Sequence, residues 1–117
     1  MPRLRAVLVM VPPLLRDLIR HALTSRVEVS IVADIAEAKG ACRQLRDLAP
    51  DIVIVGPAGA SSRLTAELVR SLLPHAQVLA LSADLTTLLG PGEDDRSEFT
   101  PDTLADRVRR YPGAGTI

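Results

Sequence analysis

The sequence predicts an α/β domain, a doubly wound parallel sheet of four to five strands with helices on both faces. Three observations carry that expectation. Nearly continuous apolar runs recur at residues 5–11, 51–55 and 78–81, the pattern of strands buried on both faces of a sheet. The segments between them repeat apolar residues at helical spacing, so strand and helix alternate from the start of the chain. Only Phe99 and Tyr111 are aromatic, which leaves Leu, Val, Ile and Ala to fill a layered core.

Taken in order, the first strand at 5–11 runs directly into a helix whose first turn suits Pro12 and Pro13. Leu14, Leu18 and Ala22, with Leu15, Ile19 and Leu23, form its expected apolar stripe, and Arg16, Asp17 and Arg20 lie off it. Val27, Val29 and Ile31 alternate with Glu28 and Ser30, which predicts an edge strand. Asp34 is expected to open the second helix, with Glu37 at capping-box spacing and Ile35, Ala38, Cys42, Leu45 and Ala49 on the buried side up to Pro50. The strand at 51–55 leads through Gly56, Pro57, Ala58, Gly59 and Ala60 to a third helix, capped by Ser61 or Ser62. Leu64, Leu68 and Leu72 are its expected core face, and Pro74 ends it. After the fourth strand at 78–81, residues 84–89 are expected to form a short helix capped by Asp84 and ended by Gly90. A parallel neighbour there would need a longer crossover than the chain provides. Residues 91–95 read as a polar loop and 96–99 as a weak edge strand. In the last helix Thr100 caps, Pro101 takes the first turn, Leu104, Val108 and Tyr111 face inward, and Asp106 can pair with Arg110. The expected domain spans 1–111, and 112–117 is a loose tail.

Composition narrows the function classes. At 117 residues and 47% hydrophobic, the chain suits one domain with one core. Fourteen basic and fourteen acidic residues cancel, so the long-range positive field of a nucleic-acid binder is missing and direct nucleic-acid binding is not expected. The single Cys42 has no partner for an intrachain disulfide and reads as a small core hydrophobe. The first apolar run stops at Pro12, too short to span a membrane and without a small-residue cleavage site. A soluble cytoplasmic protein with no membrane contact is the expectation.

The order of these elements resembles the receiver domain of bacterial two-component response regulators, over nearly the whole chain. The resemblance rests on Val7, Leu8 and Val9 followed by Pro12, Pro13, Leu14, Leu15 and Arg16, and on residues 50–55 for the third strand. It rests also on residues 78–82 with Ala83, and on residues 99–108 leading into the last helix. It implies a flavodoxin-like receiver fold with a shortened, irregular segment before the last helix. Receivers take phosphate on an aspartate after the third strand, with an acidic pair after the first strand holding magnesium. On this chain those positions fall on Gly56 and on Met10 and Val11, none of which supplies a carboxylate. Ser82 alone keeps its family position, the Ser or Thr after the fourth strand. The family lysine falls near Gly90 or Ser97, while the only lysine, Lys39, lies in the second helix. The resemblance therefore implies a phosphorylation-independent signalling or regulatory module that acts through a protein partner or as a homodimer, with no cofactor and no enzymatic activity. Were the natural protein longer, a helix-turn-helix after the tail would make this the regulatory half of a transcription factor.

Other constellations have two readings each. Gly56, Gly59, Ser61 and Ser62 form a strand-to-helix turn that can aim backbone N–H groups at an anion or nucleotide, or whose glycines simply relieve backbone strain. The first reading makes the chain a sensor of a small anionic ligand. Glu93, Asp94 and Asp95 lack the spacing of a calcium loop and read as a solvated acidic loop. His21 and His75 have no partner at ligand spacing, and Ser61, Ser62 and Ser82 stand in no nucleophile elbow, so neither a metal site nor a hydrolase is expected.

Overall fold

The computed structural model describes residues 4–26, 29–35, 41–56, 61–74, 76–82, 86–89 and 96–109. Its elements run β1 (Leu4–Val9), α1 (Pro13–Arg26), β2 (Val29–Ile35), α2 (Ala41–Leu48), β3 (Ile52–Val55), α3 (Ser61–Leu72), β4 (Gln77–Leu81), β5 (Thr87–Leu89), β6 (Arg96–Glu98) and α4 (Pro101–Arg109). They build one six-stranded sheet in the order β2-β1-β3-β4-β5-β6. The first four strands are parallel, whereas β4–β5 and β5–β6 pair antiparallel.

Alternation along the strands sorts the core into two layers. Ala6, Leu8, Ile52, Ile54, Leu79, Leu81 and Leu88 point to one face, where they meet Leu15, Ile19 and Leu23 of α1 and Leu104 and Val108 of α4. Val7, Val9, Val53, Val55, Val78 and Ala80 point to the other, under Leu45 of α2 and Val69 of α3. This is the doubly wound arrangement, because each central strand is apolar on both sides and needs a helix over each. A strand such as β3, buried at every residue, can exist only there.

The structure corrects several expectations. The sheet has six strands of mixed direction, not four to five in parallel, because residues 87–89 form β5 instead of a helix. The crossover argument correctly rejects a parallel neighbour of β4, but an antiparallel one needs only a turn. Ser82 N–H donates to Thr87 O at 3.0 Å to close that turn, and Leu88 anchors the new strand in the core. The proposed cap Asp84 and stop Gly90 lie outside the described residues, as does Tyr111.

Asp34 caps no helix. It sits within β2, paired with Leu8. The register of β1 against β2 shifts by one residue between Ala6 and Val7, leaving Val32 unpaired. Val29 and Ile31 therefore join the α1 layer, whereas Ala33 and Ile35 join the α2 layer. Asp34 is thereby turned toward α1.

In α1 the buried stripe is Leu15, Ile19, Ala22 and Leu23, while Leu14 is 88% exposed and Leu18 is exposed beside it. With about 100° between successive residues, Leu15, Ala22 and Leu23 lie within about 60° of Ile19, whereas Leu18 and Leu14 lie about 100° and about 140° away. The same rotation exposes Leu68 of α3 and buries its neighbour Val69. Ala49 is exposed rather than buried: it follows α2 with φ 46°, and its N–H donates to Leu45 O at 2.9 Å, a left-handed helix end. Thr100 caps α4 as expected, accepting from Thr103 N–H at 3.1 Å while Thr103 Oγ1 accepts from Thr100 N–H at 2.9 Å.

Candidate functional site

In an open sheet the ligand crevice lies beyond the carboxyl ends of the strands, where the strand order reverses. Here that point falls between β1 and β3, since β2 lies to one side of β1 and β3 to the other. The residues there are Met10 and Val11, which follow β1, and Gly56, which follows β3. Met10 N–H donates to Ile35 O at 2.7 Å, and Gly56 N–H donates to Val9 O at 2.8 Å. The chain leaves β1 through Met10 in the left-handed region, at φ 54°. That turn lays the Met10 carbonyl across Gly56. A Cβ placed on Gly56 would fall on the carbonyl oxygen of Met10, 2.6 Å from its carbonyl carbon and 2.9 Å from Val11 Cα. All of these are main-chain atoms, with no flexible side chain to give way. Gly56 is buried, Val11 is buried, and Met10 is partly so.

No protein-family model matches the chain, and no curated protein matches it by sequence. Among solved structures it is similar to the signal receiver domain of NarL from Mycobacterium tuberculosis, with a TM-score of 0.66 at 20% sequence identity. The likeness covers 92% of this chain and 94% of that one. The fold is that of a signal receiver domain.

In this receiver fold the structure brings Met10, Val11 and Gly56 into direct contact, with main chain where a side chain from position 56 would project. The Gly56 N–H is taken by Val9 and does not face an open crevice. Residues 57–60, including Gly59, lie outside the described residues, and so do the side chains of Cys42, Leu64, Ser61 and Ser62. The two serines open α3. Ser82 follows β4 on the same edge of the sheet, and its Oγ accepts the Thr87 N–H at 3.1 Å, which ties the hydroxyl into the β4–β5 turn. Ser97, one of the two positions aligned with the family lysine, lies in β6 and receives Arg107 at 3.3 Å through its Oγ. Gly90, Lys39, Glu37, Ala38, Glu93, Asp94, Asp95, His75 and Arg110 lie outside the described residues, and His21 is exposed on α1. No group of three or more His, Cys, Asp or Glu able to hold a metal occurs among the described residues.

The structure adds a pair that sequence reasoning missed. Arg16, in the first turns of α1, donates to Asp34 Oδ2 across the edge of the receiver fold. Their side chains are 35% and 19% exposed, so water screens the pair in part. It ties α1 to the end of β2 beside the β1–α1 connection. The signal was present in the run Ala33, Asp34, Ile35, which continues the alternation of Val29 and Ile31 and marks Asp34 as a strand residue.

Proposed function

We propose that this chain is a receiver-like regulatory module that works without phosphorylation, in the cytoplasm, through contact with a protein partner. One observation carries the reading. The place of the receiver phosphoacceptor holds a glycine whose missing Cβ is replaced by the Met10 carbonyl, so the position lacks both the carboxylate and the room for one. Met10 and Val11 add no hard oxygen ligand, and a magnesium ion bound through carboxylates has nothing to hold it there. The Ser82 hydroxyl closes a turn. With net formal charge zero, the domain has no field to draw nucleic acid. Among the described residues no helix is long and apolar enough to cross a membrane. No enzymatic activity is part of this reading.

The test is incubation with magnesium and acetyl phosphate, followed by intact-mass measurement. The expected result is an unchanged mass. Stoichiometric acid-labile phosphate would overturn the reading and direct attention to another carboxylate, Asp51 or Asp84.

A further inference from the structure

β6 ends the sheet, and among the described residues no strand lies on its outer side. Its ladder with β5 determines which backbone groups face outward. Phe99 N–H donates to Thr86 O at 2.8 Å, so Thr86–Phe99 and, two residues further, Leu88–Ser97 are the pairs that exchange hydrogen bonds. Arg96 and Glu98 stand opposite Leu89 and Thr87 in the intervening pairs, and their N–H and C=O groups point away from β5. The Glu98 carbonyl receives the Thr103 hydroxyl and retains a second lone pair. Side chains alternate accordingly. Ser97 shares the face of Leu88 and α4, while Arg96 and Glu98 lie together on the opposite face, both exposed.

We propose that β6 is a homodimerisation edge, on which a second copy of this chain adds its own β6 antiparallel about a two-fold axis through Ser97. The proposal rests on the protein-contact reading and names its partner. Under that two-fold the string Arg96-Ser97-Glu98 is self-complementary. Arg96 stands opposite Glu98 of the second copy, and Glu98 opposite Arg96 of the second copy, giving two cross-strand ion pairs. The outward groups of the same residues supply up to four backbone hydrogen bonds, since directly opposed residues of this kind exchange both. Edge charges of a single sign repel another sheet and are a common protection against pairing. The opposite signs here attract a second copy instead, in one register and one orientation.

Three-residue strands bury little surface, so the dimer is weak and assembles at about 0.1–1 mM protein. Sedimentation equilibrium of the purified chain over that range tests it. Arg96→Glu makes the edge all acidic and Glu98→Arg makes it all basic, and each variant alone weakens association at least about tenfold. An equimolar mixture of the two restores association as a heterodimer, and the double variant R96E/E98R restores it as a homodimer. A wild-type chain that stays monomeric at about 1 mM overturns the proposal. So does an association that neither single variant weakens, or a mixture no tighter than its components. A monomeric wild type leaves the phosphorylation-independent reading standing with a different protein as partner, and phosphate uptake in the mass experiment leaves the dimer result untouched.

Discussion

The two halves of the sheet are held by different means. In the parallel half, β3 is buried at each of its four residues and β1 at its last four, so helices on both faces fix these strands in place. In the antiparallel half, β5 buries one residue of three fully and β6 none. There the ladder itself, one fully buried leucine, Leu88, the half-buried Leu89 and the hydrogen bonds from α4 to Ser97 and Glu98 do the holding. A strand sealed by two layers is determined by composition alone, whereas an edge hairpin depends on a few particular residues and on the turns that join it.

Breaking the parallel half where it is tightest has the largest expected effect. Gly56→Ala forces a methyl group onto the Met10 main chain and is expected to cost about 4 kcal/mol in urea unfolding. A loss below about 1 kcal/mol means that the β1–α1 connection moves aside easily and that the position is less closed than its geometry indicates. The antiparallel half has its own weak point. Leu88→Ala is expected to cost about 2–3 kcal/mol, less than a central core leucine because the rim of the sheet can settle into the space left. Amide exchange in β5 and β6 is expected to quicken more than in β1 and β3; uniform acceleration across all six strands would show that the hairpin is no separate unit. The smallest effect belongs to the edge of the parallel half. A double-mutant cycle with Arg16→Met and Asp34→Asn is expected to give a coupling of about 0.5–1 kcal/mol that shrinks in high salt. A coupling above about 2 kcal/mol would mean that the pair is far better shielded than its exposure implies.

The same contrast explains what could be read from the sequence. β1, β3 and β4 were legible because strands covered on both faces show as unbroken apolar runs, and Val53 to Val55 needs no knowledge of its neighbours. The alternation of strand and helix then gave the two-layer order. β5 was not legible, since Thr87, Leu88 and Leu89 are too few to show a period, and their pairing depends on the turn at Ser82 and on Ser97 opposite Leu88, neither of which an apolar pattern marks. The stripes of α1 and α3 were legible as stripes but not in phase. Leucines such as Leu14 and Leu68 have the right chemistry for a core, and only the angle at which each helix meets the sheet decides against them. At the candidate site the want of a carboxylate at Met10, Val11 and Gly56 was visible as letters. The closure was not, because it depends on the backbone angle of Met10, which its side chain does nothing to announce.

Val32 shows how much one residue can decide. Along β2 the apolar residues Val29, Ile31, Ala33 and Ile35 recur at every second position, yet the unpaired Val32 between the register's two segments moves the first two to the α1 layer and the last two to the α2 layer. The strand is two short phrases in opposite phase. Deleting Val32 would straighten the ladder and keep both phrases in their layers, because Ile31 and Ala33 already pair with the adjacent Ala6 and Val7, and Asp34 already shares the α1 face with Leu8. Val32 acts as a change of reading frame at the level of the folded chain: were it taken into the ladder opposite Val7, Asp34 would turn away from Arg16 into the layer of Val7 and Val9.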